Sequence, residues 1–200
     1  MFNVLSYIFS YRFFSKFNIL FSRLISLSLY RELKYAKTVP KFQFPSRIEG
    51  TKYIKIGQNF AAGKGLRLQA ISKYIDQNFE PSIEIGDNVT INPNCQISAI
   101  DKIVIGNNVL IASGVFISDH VHGETDYSDI NMMPAERRLC SKGSITIDDG
   151  VWIGQGVCIL SNVRIGKNAI IGANSVVTKD VPDNTIVVGT PARIIKNIGE

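Results

Sequence analysis

Residues 145–177 read ITIDDG VWIGQG VCILSN VRIGKN AIIGAN SVV, and a β-branched aliphatic returns at every sixth place: Ile147, Ile153, Ile159, Ile165, Ile171 and Val177. A period of six matches neither the 3.6-residue turn of an amphipathic helix nor the two-residue alternation of a hairpin strand. It is the mark of a parallel β-helix, in which each hexapeptide supplies one short strand and one corner and three complete a triangular coil. A single coil cannot bury its own apolar side chains, so coils must stack.

Working back toward the N-terminus, the same inward positions group in threes: Ile56, Ala62 and Leu68, then Ile85, Ile91 and Ile97, then Ile105, Ile111 and Ile117. With the two coils that start at Ile147 and Ile165, this makes about five. An uninterrupted coil takes 18 residues, as from Ile147 to Ile165, but Ile56 to Ile85 takes 29 and Ile105 to Ile147 takes 42. The excesses fall at SKYIDQNFEPS and at a long loop, residues 118–144. A long insertion in so regular a scaffold is usually functional, because the scaffold does not need it. Gly57, Gly86, Asn88, Gly106, Asn108, Gly166, Asn168, Gly172 and Asn174 suit corners that are tight or need positive φ. Past Val177, a closing strand TIVVG is followed by PARIIKN, where Pro191 suggests a short C-terminal helix.

Charge divides the chain into residues 1–50, a basic helical appendage, and residues 51–200, the β-helix. The first part carries eight Lys/Arg against two acids, a net +6, and the rest sums to −1. Nucleic-acid binding by the main domain is therefore not expected. In the appendage, Phe13, Phe17, Leu20, Leu24 and Leu27 recur at helical spacing, with Arg12, Lys16, Ser22, Arg23 and Ser26 on the other side. It does not read as a signal peptide, since no positive charge precedes the apolar stretch and no A-x-A site follows, nor as a bilayer span, since charges interrupt every apolar run. Two readings stay open: a helix packed on the β-helix or a neighbouring subunit, and an interfacial helix that gives residues 1–45 peripheral membrane contact.

The two histidines both lie in the long loop, in Asp119-His120-Val121-His122-Gly123. An imidazole titrates near neutral pH and suits a general base. Three cysteines without framework spacing fit reduced thiols and a cytoplasmic setting. Cys95 and Cys158 occupy small-residue positions of the repeat, and Cys140 has no histidine near it in sequence. Two histidines separated by one residue make no convincing metal site, so no metal is expected.

The repeat array, the loop after ISDHVHG, the segment VWIGQGVCILSNVRIGKNAIIGANSVVTKDVP and the tail VVGTPARIIK together resemble the left-handed β-helix acetyltransferases. The branch they resemble is the maltose/galactoside acetyltransferase-like enzymes that O-acetylate bacterial surface polysaccharides, and the likeness covers residues from about 50 to 197. It implies acetyl-CoA as co-substrate and a loop histidine as base. Counting from Ile117 puts that base at His122; opening a gap puts it at His120, and the other histidine, with Asp119, would orient the base or touch the acceptor. Trp152 matches a residue lining the active site, and Asn92 matches one that bonds the acceptor. Gln155, Ala173, Thr178 and Lys179 match positions along the CoA groove, and Arg193 and Lys196, one helical turn apart, match basic residues near the CoA phosphates. The family's acidic acceptor-site residue falls at Ile100, next to Asp101, a departure from the family's pattern.

The resemblance further implies a homotrimer with active sites between subunits. The expected activity is O-acetylation of a sugar hydroxyl of a surface polysaccharide (O-antigen, capsule or exopolysaccharide) or its lipid-linked precursor. The alternatives are N-acetylation of an amino sugar nucleotide or xenobiotic, and a non-enzymatic β-helix scaffold.

Overall fold

The structure is a computed structural model that describes residues 11–123 and 130–199. It is mainly β, with one α-helix among the described residues, Tyr11–Glu32. Three sheets of parallel strands are visited in turn, so that each circuit of the chain adds one strand to each. The first sheet stacks Tyr35–Ala36, Ile54–Ile56, Ser82–Ile85, Lys102–Ile105, Ile145–Ile147 and Val163–Ile165. The second stacks Lys41–Phe42, Ala61–Ala62, Thr90–Ile91, Leu110–Ile111, Trp152–Ile153, Ile170–Ile171 and Thr185–Val188. The third stacks Arg47–Glu49, Arg67–Ala70, Gln96–Ala99, Phe116–Ser118, Cys158–Ile159 and Val176–Val177.

Register puts like on like. Ile56, Ile85, Ile105, Ile147 and Ile165 pair in one column. Ala62, Ile91, Ile111, Ile153, Ile171 and Val187 form the second, and Leu68, Ile97, Ile117, Ile159 and Val177 the third. All are buried, and they run through a core that also takes in Ile54, Ile83, Ile103, Ile145 and Val163. Such columns arise because a period-six insertion of the same branched side chain fills the same site on every circuit, and each buried isoleucine is worth about 1.5–3 kcal/mol.

The corners explain the Gly and Asn positions. Asn88, Asn108, Asn168 and Asn174 have φ of 58°, 57°, 56° and 58°. Asparagine tolerates this left-handed conformation better than other residues with a Cβ. Their side chains also bond along the stack: Asn59 donates to Asn88 at 2.9 Å and Asn88 to Asn108 at 3.0 Å. Gly57 answers a different need, since a Cβ there would lie 2.5 Å from the Gly86 carbonyl carbon of the next coil.

Two expectations change. Residues 35–49, inside the basic N-terminal stretch, add a strand to each sheet ahead of Ile56. At the other end, PARIIKN is not a helix: Arg193–Asn197 is a strand that runs antiparallel to Thr185–Val188. The physical reason is the open edge of the second sheet. Pairing there satisfies the backbone groups of a segment with two β-branched isoleucines better than a single helical turn would.

The helix docks by its small polar residues. The Phe42 N–H donates to Ser26 Oγ at 3.0 Å and the Phe44 N–H to Ser22 Oγ at 3.0 Å. The helix thus covers the first edge of the second sheet, where those amides have no strand beside them. Leu33 is buried and Leu29 packs against the core. The Phe21 ring meets Phe44 edge to face, centroids 4.9 Å apart.

Candidate active site

Both histidines follow the strand Phe116–Ser118, where the chain leaves the third sheet. Instead of turning into the first sheet it forms a neck, Val121–His122 antiparallel to Leu139–Cys140, that opens the long loop. Residues 124–129 of the loop expected over 118–144 lie outside the described residues.

Asp119 is fully buried, and its carboxylate is wholly engaged. Oδ1 accepts the Ile100 N–H at 2.9 Å and Oδ2 accepts the Asp101 N–H at 2.9 Å. His120 Nδ1 lies 2.9 Å from Oδ1, with its side chain 9% exposed. Facing an acceptor-only carboxylate, Nδ1 must carry a proton, which fixes the tautomer and leaves Nε2 as the proton-accepting atom. Ser118 Oγ tightens the turn, donating to the His120 carbonyl at 2.9 Å and accepting the His120 N–H at 3.3 Å. A buried carboxylate is tolerable here because backbone N–H groups surround it.

His122 is exposed. Its Nδ1 lies 3.3 Å from the Tyr74 hydroxyl, which donates to the Ala135 carbonyl at 2.8 Å. With its one proton so used, the hydroxyl accepts from Nδ1, and the same tautomer results. The rings meet edge to face, centroids 5.4 Å apart.

Tyr74 was not among the residues singled out from the sequence. It stands on a small hairpin, Lys73–Tyr74 with Gln77–Asn78, made from the inserted stretch SKYIDQNFEPS, residues 72–82. The same hairpin grips the loop neck: Gln77 accepts the Leu139 N–H at 2.7 Å and donates to the Leu139 carbonyl at 3.0 Å. Asp76 pairs with Arg138, whose guanidinium holds the Asp76 carboxyl below the ordinary carboxylate range. The only sequence signal for this clamp was the excess length between Ile56 and Ile85, which coincides with it.

The remaining candidates lie elsewhere on the coil. Trp152 is half exposed on the outward face of the second sheet, in a column with Leu110 and Ile170. Asn92 sits at the corner after Thr90–Ile91 and lines a groove of about 1230 Å³ between the helix and the second sheet. Gln155 and Ala173 occupy corners one circuit apart, where the Asn174 N–H donates to the Gln155 carbonyl at 2.8 Å. Thr178 and Lys179 follow Val176–Val177.

Arg193 and Lys196 are exposed on the final strand rather than a helical turn apart. Three residues apart on a regular strand they would point to opposite faces. Here Arg193 pairs with Val188 and Lys196 with Ile186 across a one-residue irregularity, which restores both to one face. Within one chain the histidines therefore meet Asp119 and Tyr74, while Asn92 and Trp152 belong to other faces.

Among the described residues, no three His, Cys, Asp or Glu side chains are grouped to hold a metal ion. Cys95 is buried against the Ala112 carbonyl, 3.1 Å away, and burial pushes its thiol pKa up. That suits a core filler.

The bacterial transferase hexapeptide (six repeats) family matches residues 144–179. WbbJ of Escherichia coli (strain K12), by name a lipopolysaccharide biosynthesis O-acetyl transferase, is 38% identical over 157 residues, or 77% of this chain and 76% of that protein. The chain belongs to the hexapeptide-repeat acetyltransferases. Galactoside O-acetyltransferase of the same strain shares 38% over 128 residues, 62% of this acetyltransferase and 58% of that one.

Among solved structures, the hexapeptide-repeat acetyltransferase VCA0836 of Vibrio cholerae superposes with a TM-score of 0.58 at 26% identity, covering 91% of this chain and 93% of that one. The N-acyltransferase AntD of Bacillus cereus, solved with dTDP and 3-hydroxybutyryl-CoA, shares the fold with a TM-score of 0.71 at 20% identity over 88% of each chain.

Proposed function

We propose that this acetyltransferase moves an acetyl group from acetyl-CoA to a sugar hydroxyl of a surface polysaccharide or its precursor, with His120 as general base. The observation that carries the assignment of the base is the Asp119–His120 pair. The residue count by resemblance favours His122, but Asp119 gives His120 a fixed tautomer and a counter-charge for the imidazolium that forms. His120 Nε2 takes the acceptor hydroxyl proton as the oxygen attacks the thioester carbonyl. The tetrahedral oxyanion collapses, the C–S bond breaks, and the imidazolium returns the proton to the CoA sulfur. His122, exposed and steadied by Tyr74, contacts the acceptor at the mouth of the site.

The donor suits the corners at Gln155 and Ala173 for the pantetheine arm, with Thr178 and Lys179 beyond them. Arg193 and Lys196 on one strand face suit the CoA phosphates as charge-assisted donors. Support for the O-acetyl reading comes from WbbJ and the galactoside enzyme, both named for O-acetyl transfer.

A left-handed coil and a homotrimer belong to the same reading. The outward column of the second sheet is apolar at Leu110, Trp152 and Ile170, whereas the first sheet shows the Lys55–Glu84 pair and Arg164. Faces of the first kind pack around a threefold axis, and Trp152 and Asn92 of one subunit would then approach the histidines of another. Nothing in acetyl-CoA chemistry requires export, and a cytoplasmic enzyme with reduced cysteines fits.

The test is thioester consumption with acetyl-CoA against a panel of sugars, oligosaccharides and amino sugars, with products resolved as ester or amide. His120→Ala should lose about 10²–10⁴-fold in kcat, the usual worth of a general base. His122→Ala should act chiefly on acceptor KM. If His122→Ala is the variant that abolishes turnover, the base is His122. Amide products alone would replace the O-acetyl reading with N-acetylation, and absence of any CoA-induced thermal stabilisation would leave only a scaffold.

A further inference from the structure

The outward side of the helix Tyr11–Glu32 is apolar. Phe17, Leu20 and Leu24 are each 56% exposed and Leu27 is 50% exposed, all on one stripe two to three turns long. The opposite side is used up: Ser22 and Ser26 bond the strand edge, and Leu29 and Leu33 pack inward. The helix cannot rotate to hide the stripe without breaking those bonds. Contiguous exposed apolar surface on a docked helix marks an interaction site.

Charge decides what covers it. Lys16 and Arg23, seven residues and so two turns apart, run along one flank of the stripe, and Arg31 lies at its end. Glu32 is the helix's single acid, and Lys34 and Lys41 follow close by. The ten residues ahead of the helix, which lie outside the described ones, carry no charged side chain. Two copies meeting by these stripes would bring their cations together with almost no acid to match. An anionic lipid surface satisfies both halves, taking the apolar stripe among its acyl chains and the cations at its headgroups. No described helix is long and apolar enough to cross a membrane.

We infer that the helix Tyr11–Glu32 lies in the plane of an anionic bilayer surface and holds the β-helix against it by its serine face. This goes beyond acetyl transfer, and its test reads no catalysis. The full-length protein is sedimented with vesicles of phosphatidylcholine alone and of phosphatidylcholine with one part in three phosphatidylglycerol. Binding should need the anionic lipid and fade in high salt. Lys16→Gln with Arg23→Gln should weaken it by about 25-fold, some fivefold for each cation. Phe17→Ser with Leu20→Ser and Leu24→Ser should abolish it and leave the molecular mass by light scattering unchanged. A wild-type protein that ignores anionic vesicles, or binds neutral ones equally, would overturn the inference. So would a serine variant of altered oligomeric mass, which would assign the stripe to contact between copies.

Discussion

Asp119→Asn separates the structural from the chemical work of the most buried charge in the site. The carboxylate accepts three hydrogen bonds, from the Ile100 and Asp101 backbone N–H groups and from His120 Nδ1, each at 2.9 Å. An asparagine of the same shape keeps one oxygen, best placed where Oδ1 already serves Ile100 and His120. Its NH₂ then faces the Asp101 N–H, donor against donor. A buried donor left without an acceptor costs about 1–3 kcal/mol, and loss of charge from the two remaining bonds adds to it. We expect a total of about 2–4 kcal/mol, which for a chain of this size lowers Tm by roughly 5–15 °C.

Differential scanning calorimetry of the unliganded protein gives the first readout. The second is kcat measured well below the variant's Tm, which should fall at least tenfold while KM for acetyl-CoA holds, because the imidazolium loses its counter-charge. A lower Tm with kcat within about threefold of wild type would refute the role of Asp119 in positioning the base. An unchanged Tm would refute the hydrogen-bond account itself.

Two further outcomes follow from the same geometry. Gln77→Ala removes both bonds to Leu139, so trypsin should cut faster after Arg137 or Arg138, with Tm lower by only about 2–5 °C; unchanged cleavage would mean the hairpin does not hold the neck. Glu84, bonded by Lys55, and Asp87, bonded by the Gln58 N–H and then Lys37, have carboxyl pKa values held below their ordinary range. Depressed folded values stabilise above the ordinary carboxylate range and lose that effect as pH falls through them, so the two contributions should fade below about pH 4. Denaturant unfolding of the Glu84→Gln, Asp87→Asn variant should then show a shallower loss of stability between about pH 5 and pH 3 than wild type; an equal slope would count against both pairs.

The architecture was legible because its signal is local and repeated. Each hexapeptide carries its own strand, its own inward aliphatic and its own corner residue, so Ile147 to Val177 can be read without knowing what they touch. The positions of the two insertions were legible for the same reason, as departures from the period. The amphipathic helix was visible too, but not its orientation. Apolar periodicity says that a helix has two sides, and only the unpaired amides of Phe42 and Phe44 made serine the inward one. The tail failed differently. Pro191 opens a helix when nothing competes, and an open sheet edge next to Ile194 and Ile195 competes successfully.

The site was half legible. His120, its neighbour Asp119 and His122 stood out by residue type and by their place at the loop, but the groups that hold Asp119 and His122 come from other circuits of the coil. Asp119 takes its amides from residues 100 and 101, and Tyr74 reaches His122 from 48 residues away. The repeat determines which residues point inward; what it leaves open is which inserted segments become neighbours. That depends on how far each insertion projects from the stack and on which buried polar groups must find a partner there, and those are properties of the packed coil alone.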